Sequence, residues 1–290
     1  MDIYKETIAI LKKYKLQANK ALGQNFLIDE EVINTIIEES EINKNDLVIE
    51  IGPGLGVLTK RLLEKAYKVI AVELDENMVR IIKDRFEGTN NLTVLNEDIL
   101  KVNLKQLIDN ERSEAIRNNE NIKNVKIVAN FPYYISSPIV IKLLQEKSNI
   151  DSITIMVQKE VAERIIAVPG NKLSGSITYI VNYYSEGEKI LDVSKHSFVP
   201  EPKVESQVIK LNIRKSPKIE IKDEKKFFDF IQLVFSQRRK TLANALVNFN
   251  IVNNKSEAIE LIEKAGFNVN VRAESLSLEQ FAKLEKVLDF

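Results

Sequence analysis

The chain has 290 residues, with 42 Lys and Arg balanced by 42 Asp and Glu, no Cys and a single His, His196. The lack of cysteine excludes a disulfide framework, thiolate metal sites and a cysteine nucleophile, and one histidine excludes a His-rich metal centre or a His–His acid–base pair. The neutral sum conceals an uneven distribution: residues 1–24 hold five basic side chains against two acidic, and residues 203–240 eleven against five, leaving the remainder acidic.

Such basic stretches are either solvated faces or a surface for a polyanion, and charge alone favours the first reading. The length suits one large or two modest domains. No run approaches 18 apolar residues, and the N-terminus lacks the unbroken apolar core of a signal peptide. The expectation is a soluble cytoplasmic protein with no membrane or metal partner.

After a basic N-terminal arm (1–24), β-branched apolar runs at 47–51, 68–74, 92–96, 126–130 and 152–158 read as strands. Between them, helical spacing is predicted at 57–66 after Gly56, from Asp75 to 86, and from Ser136 to 147, with Asp75 and Ser136 as N-caps. Polar residues 109–124 read as a short helix and a loop. Alternation of strands and helices is the signature of a mostly parallel sheet. Residues 188–195 and 206–214, separated by the turn-rich segment 197–205, read as antiparallel strands ending that sheet. Beyond Arg214 comes a charged linker, then helix-period spacing over 227–235, 241–249, 256–266 and 277–288, with Gly266 as a helix stop. The expected organisation is a Rossmann-like α/β domain over 1–216 and a small all-helical domain over 217–290.

At the end of the first strand stands Glu50-Ile51-Gly52-Pro53-Gly54-Leu55-Gly56, running directly into a helix. Gly52 and Gly54 let backbone approach a ligand, but dinucleotide binders use G-x-G-x-x-G, whereas this loop is G-x-G-x-G. Glu73 ends the next strand, 21 residues after Gly52, where an acid can accept both hydroxyls of a ribose. Asp98 follows the third strand and can accept a hydrogen bond from an adenine amino group. Each carboxylate alone reads equally well as a surface residue or a helix cap; together, at the ends of successive strands, they outline a nucleoside site. Ribose and adenine contacts without a pyrophosphate loop point to S-adenosylmethionine rather than NAD.

Asn130-Phe131-Pro132-Tyr133 follows the fourth strand. A nucleobase amino group is a poor nucleophile because its lone pair is delocalised into the ring. Were the Asn130 side-chain oxygen and the Pro132 carbonyl each to accept one of its hydrogens, the nitrogen would be drawn toward tetrahedral geometry without deprotonation. Tyr133 would stack on the base, which must be flipped out to arrive there. The competing reading is a Pro-containing turn with buried aromatics.

With these residues the chain resembles the ribosomal RNA adenine dimethyltransferases that modify two adjacent adenosines near the 3′ end of 16S rRNA, relatives of the erythromycin-resistance rRNA methylases. The resemblance is carried in order by residues 21–29 (ALGQNFLID), 50–59 (EIGPGLGVLT), 72–75 (VELD), 97–100 (EDIL), 129–138 (ANFPYYISSP), 197–206 (SFVPEPKVES) and 235–246 (FSQRRKTLANAL). It implies that Asn25 and Leu27 close over the methionine end of S-adenosylmethionine and that Gly52 lines the cofactor. It further implies that Glu73 and Asp98 hold ribose and adenine, that Asn130 bridges cofactor and target, and that Phe198 stacks on the target base opposite Tyr133. Phe131 stands where Leu is the commoner family residue, which leaves both proposed acceptors unaffected.

Given the resemblance, Arg238, Arg239 and Lys240, with Lys222, Lys225 and Lys226, become the expected phosphate contacts, and Lys12, Lys13, Lys15 and Lys20 a second contact that orders on binding. The expected partner is 16S rRNA in the small (30S) subunit or its precursor, and the protein is expected to be monomeric. Lone His196 receives no role. Three other readings remain: a methylase of one adenosine in large-subunit rRNA, a ribosome-assembly factor whose methylation is secondary, and a nicotinamide-dependent oxidoreductase, the last disfavoured by the glycine spacing.

Overall fold

The computed structural model describes residues 2–19 and 23–288. They divide into two compact units, Met1–Ala162 with Glu188–Ile213, and Glu163–Gly187 with Arg214–Phe290.

The first unit is built on a seven-stranded sheet. Its strands are β2 (Asp46–Ile51), β3 (Lys68–Glu73), β4 (Leu92–Asn96), β5 (Asn124–Asn130), β6 (Ser152–Gln158), β7 (Ser185–Val193) and β9 (Ser206–Ile213), in the spatial order β4-β3-β2-β5-β6-β9-β7. The first five are parallel, and β9 runs antiparallel to β6 with Ser152 opposite Asn212. Strands β2, β3, β5 and β6 are buried on both faces, which is why they read as continuous apolar runs. A separate antiparallel pair joins β1 (Phe26–Leu27) to β8 (Phe198–Val199).

Helices α3 (Val57–Lys65), α4 (Glu76–Arg85) and α6 (Ser136–Gln145) fall where the periodicity predicts them. Asp75 caps α4, its carboxylate accepting the Asn77 N–H at 2.9 Å. Ser136 does not cap α6: Ile135 holds that position, and the Ser136 hydroxyl donates to the Pro132 carbonyl at 3.2 Å. Helix α5 (Leu104–Arg117) is longer than the short helix expected from its polarity. Its inward face includes Glu111, which pairs with Lys68 at 2.6 Å and so hides the apolar stripe.

Four helices lie where the sequence reading places none: α1 (Ile3–Lys13), α2 (Glu30–Glu39), α7 (Lys159–Ile165) and α8 (Ser176–Tyr184). Helix α2 buries Val32, Ile33, Ile36 and Ile37 behind an Asp29 cap. Helix α1 lies within the arm expected to order on binding. Its Ile10 and Leu11, with Tyr14 and Leu16, pack on a core of Phe26, Leu55, Met78 and Ile81. Lys12 and Lys13 therefore belong to a folded helix, and Lys20 lies outside the described residues.

The second unit contains α8 (Ser176–Tyr184), α9 (Glu224–Ser236), α10 (Leu242–Asn248), α11 (Lys255–Lys264) and α12 (Leu278–Leu288). Gly266, at φ 82°, follows the end of α11. The boundary expected at 217 differs from this division, because Glu163–Gly187 packs with the helices. The cause is α8, SITYIVNYY, which is apolar nearly all round and takes its partners from an aromatic core. Tyr179 meets Phe281 edge-on with ring centroids 5.0 Å apart, and its hydroxyl donates to the Leu276 carbonyl at 2.7 Å. The Tyr183 and Tyr184 hydroxyls both donate to the Glu224 carboxylate, at 3.1 and 2.5 Å.

Candidate active site

The carboxyl ends of β2, β3 and β5, the turn after β4 and the segment entering β1 converge on a cavity within the first unit. A parallel sheet opens its ligand crevice on this side, where loops fan away from the strand ends. Asn25, Leu27, Gly52, Gly54, Glu73, Asp98, Asn130, Pro132 and Tyr133 all line it.

The glycine loop owes its shape to contacts on its outer side. A Cβ on Gly56, which has φ 82°, would lie 2.7 Å from both Ile82 and Phe86, so only glycine lets α4 pack this closely. The Leu55 side chain enters the core beside Phe26, and its carbonyl accepts from the Arg85 guanidinium, whose other arm pairs with Glu6 of α1. The loop is thereby fixed from behind by α4 and α1.

Glu73 is nearly covered. Its Oε2 accepts the Gly54 N–H at 3.2 Å and its Oε1 the Asp75 N–H at 2.9 Å. Burial pushes its pKa up, and these backbone donors oppose that. Each carboxylate oxygen retains a second lone-pair direction for a ribose hydroxyl. Asp98 spends Oδ1 on the Leu100 N–H at 3.0 Å, and Oδ2 has no partner among the described residues.

Asn130 donates its amide to the Asn25 carbonyl at 3.5 Å, and its side-chain oxygen has no partner among the described residues. That bond sets which end of the amide faces away from Asn25. Asn25 in turn donates to the Gly23 carbonyl at 3.1 Å. The Pro132 carbonyl already receives the Ile135 N–H at 3.3 Å and the Ser136 hydroxyl at 3.2 Å, both long. Tyr133 shares a hydrogen bond with Ser206 at 2.7 Å, and burial raises its pKa.

Glu50 is the lining residue whose part the sequence did not reveal. It is 1% exposed, its carboxylate accepts the Thr59 hydroxyl at 2.6 Å, and burial pushes its pKa up to about 8. Four acids, Glu50, Glu73, Glu97 and Asp98, line the cavity, and among the described residues no Lys, Arg or His does. A pyrophosphate would meet no counter-charge here, whereas a cationic ligand would.

Phe198 is not on the cavity wall. It stands opposite Leu27 across the β1–β8 pair and is buried in the core with Leu27, Val193 and Val208. In this structure the ring lies behind Leu27 and supports β1.

The basic residues lie in the second unit and do not form one cluster. Lys222, Lys225 and Lys226 stand at the start of α9, and Arg238, Arg239 and Lys240 follow its end, about 20 Å away along the helix axis. Arg238 is engaged: its Nε donates to Glu274 at 2.5 Å and a terminal nitrogen to the Lys172 carbonyl. Lys225 pairs with Asp229 at 3.4 Å. Arg239 and Lys240 are exposed, with side chains unpaired among the described residues.

The model of the ribosomal RNA adenine dimethylase family matches residues 15–289. The chain belongs to this family. A ribosomal RNA small subunit methyltransferase A from Clostridium botulinum (strain Kyoto / Type A2) is 47% identical over 278 residues, covering 96% of each chain. A dimethyladenosine transferase from Plasmodium falciparum superposes with a TM-score of 0.70 at 29% identity, over 89% of this chain and 95% of that one. The 23S rRNA methyltransferase ErmE does so with a TM-score of 0.65 at 25% identity, over 92% of this chain and all of the other. As a ribosomal RNA adenine dimethylase, the protein uses S-adenosylmethionine. The acidic cavity, with unspent acceptors on Glu73 and Asp98 and no basic lining group, fits that cofactor. No helix among the described residues is long and apolar enough to cross a membrane, and no group of acids and His among them could hold a metal.

Proposed function

We propose that the protein dimethylates the N6 amino groups of two adjacent adenosines near the 3′ end of 16S rRNA, acting in the cytoplasm as a monomer on the small subunit or its precursor. The observation that carries the chemistry is the free Asn130 side-chain oxygen beside the Pro132 carbonyl and Tyr133, at the edge of an acidic cavity. In the first transfer Asn130 accepts one amino hydrogen and Pro132 the other, the latter exchanging one of its two long internal bonds; the methylated nitrogen then releases one proton to solvent, and in the second transfer its remaining hydrogen goes to one of these acceptors. Tyr133, held by Ser206, supplies the stacking face. These contacts release the nitrogen lone pair from the ring. S-adenosylmethionine, when bound, supplies an electrophilic methyl group on a sulfonium. Glu73 takes the ribose, Asp98 the adenine amino group, and Asn25, Leu27, Gly52 and Gly54 frame the remainder. In the second unit, Arg239 and Lys240 make the principal phosphate contacts, with Lys222, Lys225 and Lys226 a second group, and Arg238 bracing the turn.

The small-subunit reading is preferred to the large-subunit one because the relative at 47% identity is named for the small subunit, whereas ErmE is 25% identical. Incubation with labelled S-adenosylmethionine and undermethylated small subunits, followed by mapping of modified bases, is expected to give dimethyladenosine at two neighbouring positions of 16S rRNA. Label confined to large-subunit RNA would sink the proposal.

A further inference from the structure

Among the described residues four aromatic side chains line the cavity, and three are committed to the protein. Phe26 and Phe131 are buried wall, and Tyr133 is half-buried with its hydroxyl on Ser206. Tyr134 differs. It is 56% exposed, and its hydroxyl has no hydrogen-bond partner among the described residues. Its position is nonetheless defined. The turn that carries it is closed by the Ile135 N–H on the Pro132 carbonyl at 3.3 Å, and a Cβ built on Gly23 would touch its ring at 3.6 Å. The rim of an acidic cavity thus presents one open aromatic face, one residue along the chain from the ring that stacks on the target.

We propose that Tyr134 is a subsite for the nucleobase that flanks the target adenine. The inference rests on the reading that the cavity receives a flipped adenine from RNA. Withdrawing one base from a strand strips its neighbour of a stacking partner, and that neighbour stays tethered within one nucleotide of the cavity mouth. An aromatic face there replaces the lost stacking without regard to base identity, because every base has a π-face. The free hydroxyl means that phenylalanine would serve as well as tyrosine.

The test titrates wild-type protein, Tyr134→Phe and Tyr134→Ala, each saturated with S-adenosylhomocysteine, with four short single-stranded RNAs. One is intact and carries an adenosine; the others lack the base of that adenosine, of its 5′ neighbour or of its 3′ neighbour. Tyr134→Ala is expected to bind the intact strand about five- to a hundredfold more weakly than wild type, with Tyr134→Phe unchanged. Removing the base on one flank should weaken wild type by a similar factor and leave Tyr134→Ala unaffected. Equal S-adenosylhomocysteine affinity in all three proteins would show the cavity intact. The subsite is overturned if all three proteins bind the intact strand alike, or if the Tyr134→Ala defect is equally large on both flank-deleted strands, which would assign the ring to packing or to a protein partner. A wild-type protein indifferent to loss of the adenosine base itself, or binding none of the strands, would overturn the underlying reading of the cavity as well.

Discussion

At the scale of single residues, the site depends on which atoms are already spent. Asn130 gives its amide to Asn25 and keeps its oxygen; Asn130→Ala should lower turnover at least about 10²-fold, as loss of one preorganised polar group does elsewhere, while S-adenosylhomocysteine binding remains measurable by calorimetry. Unchanged turnover would remove the proposed acceptor. Glu50 makes a different prediction. Burial holds its pKa near 8 against an ordinary value of 4.5. Below 4.5 the carboxyl is neutral whether or not the chain is folded. Between 4.5 and 8 the unfolded chain loses a proton that the folded chain retains, so stability declines across that window by on the order of 5 kcal/mol and levels off above it. Glu50→Gln, which keeps an acceptor for Thr59, should flatten the melting temperature of the ligand-free protein between pH 5 and 8. Parallel curves for variant and wild type would show that Glu50 is ionised in the fold.

At the scale of elements, the cofactor loop is shaped by helices that never touch the cavity. Arg85 of α4 holds the Leu55 carbonyl and Glu6 of α1 together. Arg85→Met should weaken S-adenosylhomocysteine binding by about tenfold, the equivalent of one charge-assisted hydrogen bond, whereas Glu6→Gln, which leaves the Leu55 bond in place, should cost less. Equal and small effects in titration calorimetry would count against the brace. This wiring was illegible in the sequence, since Glu6, Leu55 and Arg85 are far apart in the chain and no local pattern joins them. What was legible followed local physics. The parallel strands showed because burial on both faces makes them continuous apolar runs, and Glu73, Asp98 and Asn130 showed because open parallel sheets bind ligands at strand ends. Helix α2 carries a local signal of its own, an Asp29 cap before Val32, Ile33, Ile36 and Ile37. Helix α8 carried none, being apolar on every face. The burial of Phe198 is not legible locally, because it depends on pairing with Leu27, a contact only the tertiary fold makes.

At the scale of the whole molecule, zero net charge separates into an acidic cavity and basic groups elsewhere in the chain. If Arg239 and Lys240 each neutralise a phosphate, reversing both to Glu should lower small-subunit binding and reduce the slope of log affinity against log salt by about 2. An unchanged slope would return them to the role of a solvated turn. The path of the chain carries a consequence of another kind. The chain leaves the first unit after Ala162, returns at Glu188 and departs again after Ile213. During synthesis the sheet can therefore be completed by β9 while α8, already made, lacks the phenylalanines that will cover Tyr179 and Tyr183. At about 5–20 residues per second, Phe281 follows Ile213 by about 3–14 s. For that interval the nascent chain carries a finished cofactor fold and an aromatic helix whose cover is incomplete until Phe281 is made, the kind of surface that chaperones bind and that aggregation exploits.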